Sequence, residues 1–188
     1  MSSNPVMEAI RNRRSIRKMR PDMIPTKEQV AALIDAATWA PNHHLTEPWR
    51  FIVIAGDERG RLGEALSSAL AASFPDTARE KLDMERVKPL SAPVILVVIA
   101  APKIGPKIME REELIAAGAA LQNVLLAAHA LALSTMVRTG AHAYSEAMRS
   151  FFGLGDGESL VAMVYLGFGS ESQPIGKRNG ASVEWRGM

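Results

Sequence analysis

The chain has no cysteine among its 188 residues. That excludes disulfides, thiolate metal sites, iron–sulfur clusters and a cysteine nucleophile. Aromatic residues are scarce, at 5%. A nucleic-acid patch wants aromatics among its basic residues or a recognisable module, and neither is present. Nor is there a phosphate-loop Lys motif or a Gly-x-Ser-x-Gly elbow. Gly153-Leu154-Gly155-Asp156-Gly157 follows a predicted helix and precedes a predicted strand. That is the wrong order for a dinucleotide turn, so it reads as a helix stop. No apolar run follows Met1, so no secretory leader is expected. The absence of Cys beside ten Met suits a reducing cytoplasm.

What is present is an ordinary globular composition, with 47% hydrophobic and 22% charged residues. The length fits one domain, 1–188, with a sizeable core. Lys+Arg outnumber Asp+Glu by only 22 to 20. The excess is local, however. Residues 1–20 hold six basic side chains and one acid, Glu8. The rest of the chain is slightly acidic.

The pattern predicts four or so strands interleaved with helices in one α+β layered domain. Short helices are expected over 6–13 and 144–152. Thr26 and Gln29 form a capping box for a helix ending near Ala40-Pro41. Strands are expected over 49–55, 92–101, 134–139 and 159–169. The second of these is apolar throughout, which suits burial on both faces. Residues 57–73 read as a helix, with Leu62, Leu66 and Leu70 on one face. The charged stretch 74–88 lacks clean periodicity and reads as a mobile loop or a short helix. The mostly apolar run 114–137 lies largely in the longest helix, 110–133. Gln122, Asn123 and His129 within that run favour a buried helix over a membrane span. The tail 170–188 has no core pattern, yet Val183 and Trp185 suit docking on a partner subunit.

Three features could carry chemistry. The first is Arg11-Asn12-Arg13-Arg14-Ser15-Ile16-Arg17-Lys18. Arg forks match phosphate oxygens and a Ser hydroxyl adds a donor. Solvated surface, a nucleic-acid patch and a single phosphate pocket all fit this run alone. The second is the Pro-bounded loop 41–48, with His43, His44 and Glu47. Adjacent residues are expected to point apart, and the missing further ligands argue against a metal. The third is Val137-Arg138-Thr139-Gly140, where Arg138 is either an exposed loop residue or partly buried against an anion or carbonyl.

Together these features resemble the flavin-dependent nitroreductase family, in its small branch. The resemblance rests on Arg13-Arg14-Ser15-x-Arg17, then Ala40-Pro41 leading to Pro48-Trp49-Arg50-Phe51. Arg138-Thr139-Gly140 and the strand Val161–Gly167 complete it. It covers essentially the whole chain. It implies an α+β fold with a mostly antiparallel central sheet flanked by helices. It also implies an intertwined homodimer with two FMN sites at the interface and the tail packed on the partner subunit. Arg13, Arg14, Ser15 and Arg17 would bind FMN, with Arg13 and Ser15 on the phosphate and Arg17 towards the N1/O2 edge. Trp39 and His43 would line the flavin from the partner chain. Val137, Arg138 and Thr139 would form its other contact segment, and Arg178 or Lys177 would reach the phosphate. Where many relatives have Ser-x-x-Asn-x-Gln, this chain has Asn42, Leu45 and Glu47, so the usual Asn contacts do not transfer to Leu45.

The implied activity is hydride transfer from NADPH or NADH, through flavin N5, to a nitroaromatic, quinone or enone-type acceptor by ping-pong kinetics. No catalytic side chain, resident metal, nucleic acid or membrane is expected. A non-catalytic flavin-binding sensor or storage protein is the alternative.

Overall fold

The architecture was read from a computed structural model, which describes residues 4–170 and 176–188. Part of the tail, 171–175 with Pro174, lies outside the described residues, as do 1–3. Four strands form one sheet in the order β1-β2-β4-β3, with every neighbouring pair antiparallel. They are β1 (Trp49–Ala55), β2 (Val94–Ala100), β3 (Ser134–Arg138) and β4 (Ser159–Gly167). The helices are α1 (Pro5–Asn12), α2 (Lys27–Thr38), α3 (Glu58–Ser73), α4 (Arg79–Val87), α5 (Glu110–Ala130) and α6 (Glu146–Phe152).

All seven residues of β2 are buried, as its unbroken apolar run requires. Alternate side chains feed two cores. Leu96 and Val98 join Leu33 of α2, Val124 of α5 and Leu166 of β4. Ile95, Val97 and Ile99 join Leu62 and Leu66 of α3 and Met148 and Phe152 of α6. Fully burying one such side chain is worth about 1.5–3 kcal/mol.

Local chemistry sets the helix ends. The Thr26 side chain accepts from the Gln29 N–H, and the Gln29 side chain accepts from the Thr26 N–H. This is the expected box. Gly153 ends α6 in a left-handed conformation, φ 57°. That helix starts at Glu146 instead of residue 144, because Ala141–Tyr144 form a 3₁₀ turn and the Ser145 hydroxyl caps the α-helical residues from Glu146 onward. The charged stretch 74–88 takes its short-helix alternative as α4. Gly63 lets α4 close on α3, since a Cβ there would lie 1.9 Å from the Arg86 carbonyl oxygen.

The apolar helix α5 is a core helix. It buries Ala116, Ala117, Ala120, Val124 and Ala128. Its opposite face leaves Leu114 and Ile115 exposed.

The N-terminal arm positions the candidate site. Asn4 caps α1, accepting from the N–H groups of Val6 and Met7. The chain then leaves helical geometry and lies along the sheet. Ser15 bridges in parallel to Thr135, and the Ile16 N–H donates to the Thr135 carbonyl at 2.8 Å. Further on, Met19 bridges to Gly169 and the Arg20 N–H donates to the Phe168 carbonyl. The arm therefore crosses from the outer edge of β3 onto the extension of β4.

Candidate functional site

The expected site residues fall into two groups. The arginine group lies along the arm, with the tail against its start and β3 beside Ser15. Arg13 is partly buried, and its pKa is lowered by that burial and then by the like charges of Arg14 and Arg178. No acid is among the groups that shift it. Arg178, distant in sequence, is thus brought beside Arg13. Ile10, Arg11, Asn12, Arg14, Gly176 and Arg178 line a cavity of about 500 Å³ there. Arg14 turns back on its own helix end, donating from Nη1 to the carbonyls of Arg11 and Arg13 at 2.6 and 2.7 Å. Arg17 is exposed, and so is Thr139.

Arg138 closes β3. Its guanidinium lies over the Tyr165 ring, 5.6 Å from the centroid. Its Nε is buried without a hydrogen-bond partner among the described residues. Of the two readings left open for this residue, the structure takes the partly buried one. A buried guanidinium N–H without an acceptor is costly, so a binding partner there would relieve it. Val137 packs against the core.

The histidine group is separate. Trp39 caps the end of α2 and is 80% exposed. His43 Nδ1 meets Glu112 Oε2 at 2.8 Å, in the first turn of α5. Ser15, in contrast, pairs beyond the last turn of α5. A 21-residue helix is about 30 Å long. No hydrogen bond, ion pair or ring contact joins Trp39 or His43 to the arginine group among the described residues.

The two adjacent His do not point apart. Their rings stack at 4.0 Å, within 8° of parallel. The cause is backbone geometry: His44 has φ 57°, which swings its ring alongside its neighbour's. Leu45 and Glu47 are left-handed as well. Three such residues without glycine cost about 1 kcal/mol or more each. Side chains hold the loop in place. Asn42 accepts from the Glu47 N–H. Glu113, only 1% exposed, accepts from the Thr46 hydroxyl and the Lys103 N–H.

A family model described as "Nitroreductase family" matches residues 10–168. That span holds both groups except Arg178. The chain belongs to the nitroreductase family. Among relatives of this nitroreductase-family chain is YdjA of Escherichia coli strain K12, named as a candidate NAD(P)H nitroreductase. It is 33% identical over 162 residues, covering 86% of each chain. Among solved structures, a nitroreductase-like family protein from Bacillus cereus superposes with a TM-score of 0.77 at 28% identity. The match covers 96% of this chain and 94% of that one. A candidate nitroreductase from Desulfovibrio desulfuricans, solved in complex with FMN, gives 0.68 at 28% identity, covering 95% and 94%.

Sequence reading of this nitroreductase-family chain missed the supporting acids. By position alone, Glu112 and Glu113 are first-turn acids of a helix, which complement its dipole and signal nothing more. The structure uses them to tie down the His loop. It also missed Glu85 of α4, whose buried carboxylate meets Lys88 Nζ and, at 3.1 Å, His142 Nε2. A single buried acid in a charged, aperiodic stretch gives no pattern to find.

Proposed function

We propose that this nitroreductase-family protein binds FMN between two protomers and oxidises NADPH or NADH, then reduces a nitroaromatic, quinone or enone-type acceptor in the same pocket. One pocket serving both partners in turn means ping-pong kinetics. The observation that carries this reading is the cluster of Arg13, Arg14 and Arg178, like charges crowded with no acid among the groups that shift Arg13. Arg138, at the end of β3, adds a buried N–H without an acceptor among the described residues. An anionic cofactor with carbonyl and phosphate oxygens fits that donor set.

Bound FMN would supply the chemistry, accepting and releasing hydride at N5. The chain supplies position and field. Arg13 and Ser15 hold the phosphate, with Arg178 as a further cation, and Arg14 braces the corner from the α1 terminus. Arg138 and Arg17 face the N1/O2 edge, bordered by Val137 and Thr139. A guanidinium about 4 Å from charge developing at that edge interacts by about 4 kcal/mol at an effective dielectric of about 20, before desolvation. Trp39 and His43 complete the pocket from the second protomer.

That division supports a homodimer. The histidine group lies at the opposite end of α5 from the bridge that anchors the arm. A two-fold axis can bring the opposite ends of two copies together. The exposed apolar residues Leu114 and Ile115 of α5, Trp39, and Val6, Met7 and Ile10 of α1 would be covered in such a pair. The tail, with Val183 and Trp185 exposed in the single protomer, would pack on its partner.

The test is the absorbance spectrum. Purified protein should be yellow, and NADPH or NADH should bleach it. A nitroarene or quinone should then restore the colour with turnover. A colourless protein that cannot be reconstituted with FMN overturns the reading, and a yellow one that never turns over is a flavin-binding sensor or storage protein.

A further inference from the structure

Arg138 has Tyr165 on one side and, through the turn that follows it, a linked set of His142, Glu85 and Lys88. Arg138 lies over the ring of Tyr165, which is 2% exposed on β4. Burial pushes the Tyr165 phenol up, Arg138 opposes that, and Glu85 adds to it. Glu85 is 6% exposed and takes bonds from Lys88 Nζ and His142 Nε2. His142 sits four residues past Arg138, and its ring lies against Gly140, whose Cβ would be 3.2 Å from Cε1. The turn 139–142 therefore runs from Arg138 to the imidazole that bonds Glu85.

We propose that Glu85 and His142 are positioning residues for Arg138, fixing the 138–140 segment against α4 and setting the net charge behind the flavin edge. This rests on the FMN reading above. A buried acid has many possible structural uses, but two features point beyond simple packing. One carboxylate oxygen meets the ring of His142, in the turn that follows Arg138, and the other meets Lys88, just past the end of α4. The pair Glu85–Lys88 then acts as a charge balance. Removing the acid leaves the surroundings more positive, and removing the amine leaves them more negative. Reduction of the bound flavin adds negative charge, so the two changes act on it with opposite sign.

The experiment compares Glu85→Gln and Lys88→Gln in FMN-loaded protein, measuring the midpoint potential of the bound flavin against a reference dye. Glu85→Gln should shift it to more positive values and Lys88→Gln to more negative ones. In parallel, His142→Ala should raise the FMN dissociation constant several-fold. His142→Gln should restore it, since an amide N–H can still donate to Glu85. Should Glu85→Gln fail to fold, Lys88→Gln, changing a half-exposed side chain, decides the sign alone. Loaded variants with unmoved potentials, or shifts of the same sign, overturn this inference while leaving the FMN reading intact. A wild-type chain that takes up no FMN overturns both.

Discussion

The two groups of site residues are held by different means. The arginine group rides on backbone pairing: Ser15 and Ile16 on Thr135, Lys18 to Arg20 on 168–170. The histidine group rides on a loop with three left-handed residues, tied by Asn42, Glu112 and Glu113. Backbone pairing tolerates side-chain change, so function on the arginine side should fail only where a contacting side chain is lost. A strained loop held by side chains should fail wherever a tie is cut. The predictions test that contrast.

The largest effect is expected at Arg13. Arg13→Ala should weaken FMN binding by about 10- to 100-fold, the worth of one charged hydrogen bond, with the unfolding midpoint little changed. Fluorescence titration with FMN measures it. Equal weakening in Lys103→Ala would reduce the basic run to surface charge.

Cutting a tie on the other side should do the reverse. Glu113→Met removes both acceptors, so the Lys103 N–H and the Thr46 hydroxyl lose this partner. It should cost about 1–3 kcal/mol in urea unfolding. Unchanged stability would mean that the loop is not held by this acid.

The assignment of the two groups to different protomers can be broken by mixing. Arg13→Ala and His43→Ala chains, unfolded and refolded together, should regain about a quarter of the wild-type sites at random pairing. Recovery needs one intact arginine group and one intact histidine group from different chains. If both groups came from one chain, mixing would restore nothing.

These predictions show what the sequence made legible. The capping box at Thr26, the buried run of β2 and the basic arm are local patterns, and each was readable. Helix α4 was legible only as one of two alternatives, because what anchors it is nonlocal: Gly63 beneath Arg86 and His142 against Glu85. The arginine side was legible in type and order. The bonds that position the His loop come from acids 69 and 67 residues away, which no spacing rule reveals.

A smaller effect should appear on acidification. Burial pushes the Glu85 carboxyl up, but the bonds from Lys88 and His142 pull it down further, so it lies below its usual 4.5. A carboxyl held lower in the folded chain than in the unfolded one stabilises the fold above the unfolded pKa. That stabilisation is lost as pH falls through the folded value. The unfolding free energy of Glu85→Gln should therefore decline less steeply than that of wild type below pH 4.5. Parallel acid limbs would refute the assignment.

The smallest effect is expected at Arg20. It belongs to the same basic run but pairs with Asp22 in solvent, both side chains being well exposed. Arg20→Ala should change neither FMN affinity nor thermal midpoint. A loss like that of Arg13→Ala would show that the whole run, and not its partly buried member, recognises the ligand.

The arm's pairing also fixes an order of events. Ser15 finds its partner at Thr135 and Met19 finds its partner at Gly169. A ribosome makes the arm first, yet its partners come more than a hundred residues later. The segment proposed to grip the phosphate is thus among the first residues translated and the last to be seated. Cofactor capture through Arg13 and Ser15 should therefore follow synthesis, and a nascent chain stalled before residue 135 should carry its basic arm exposed and without flavin.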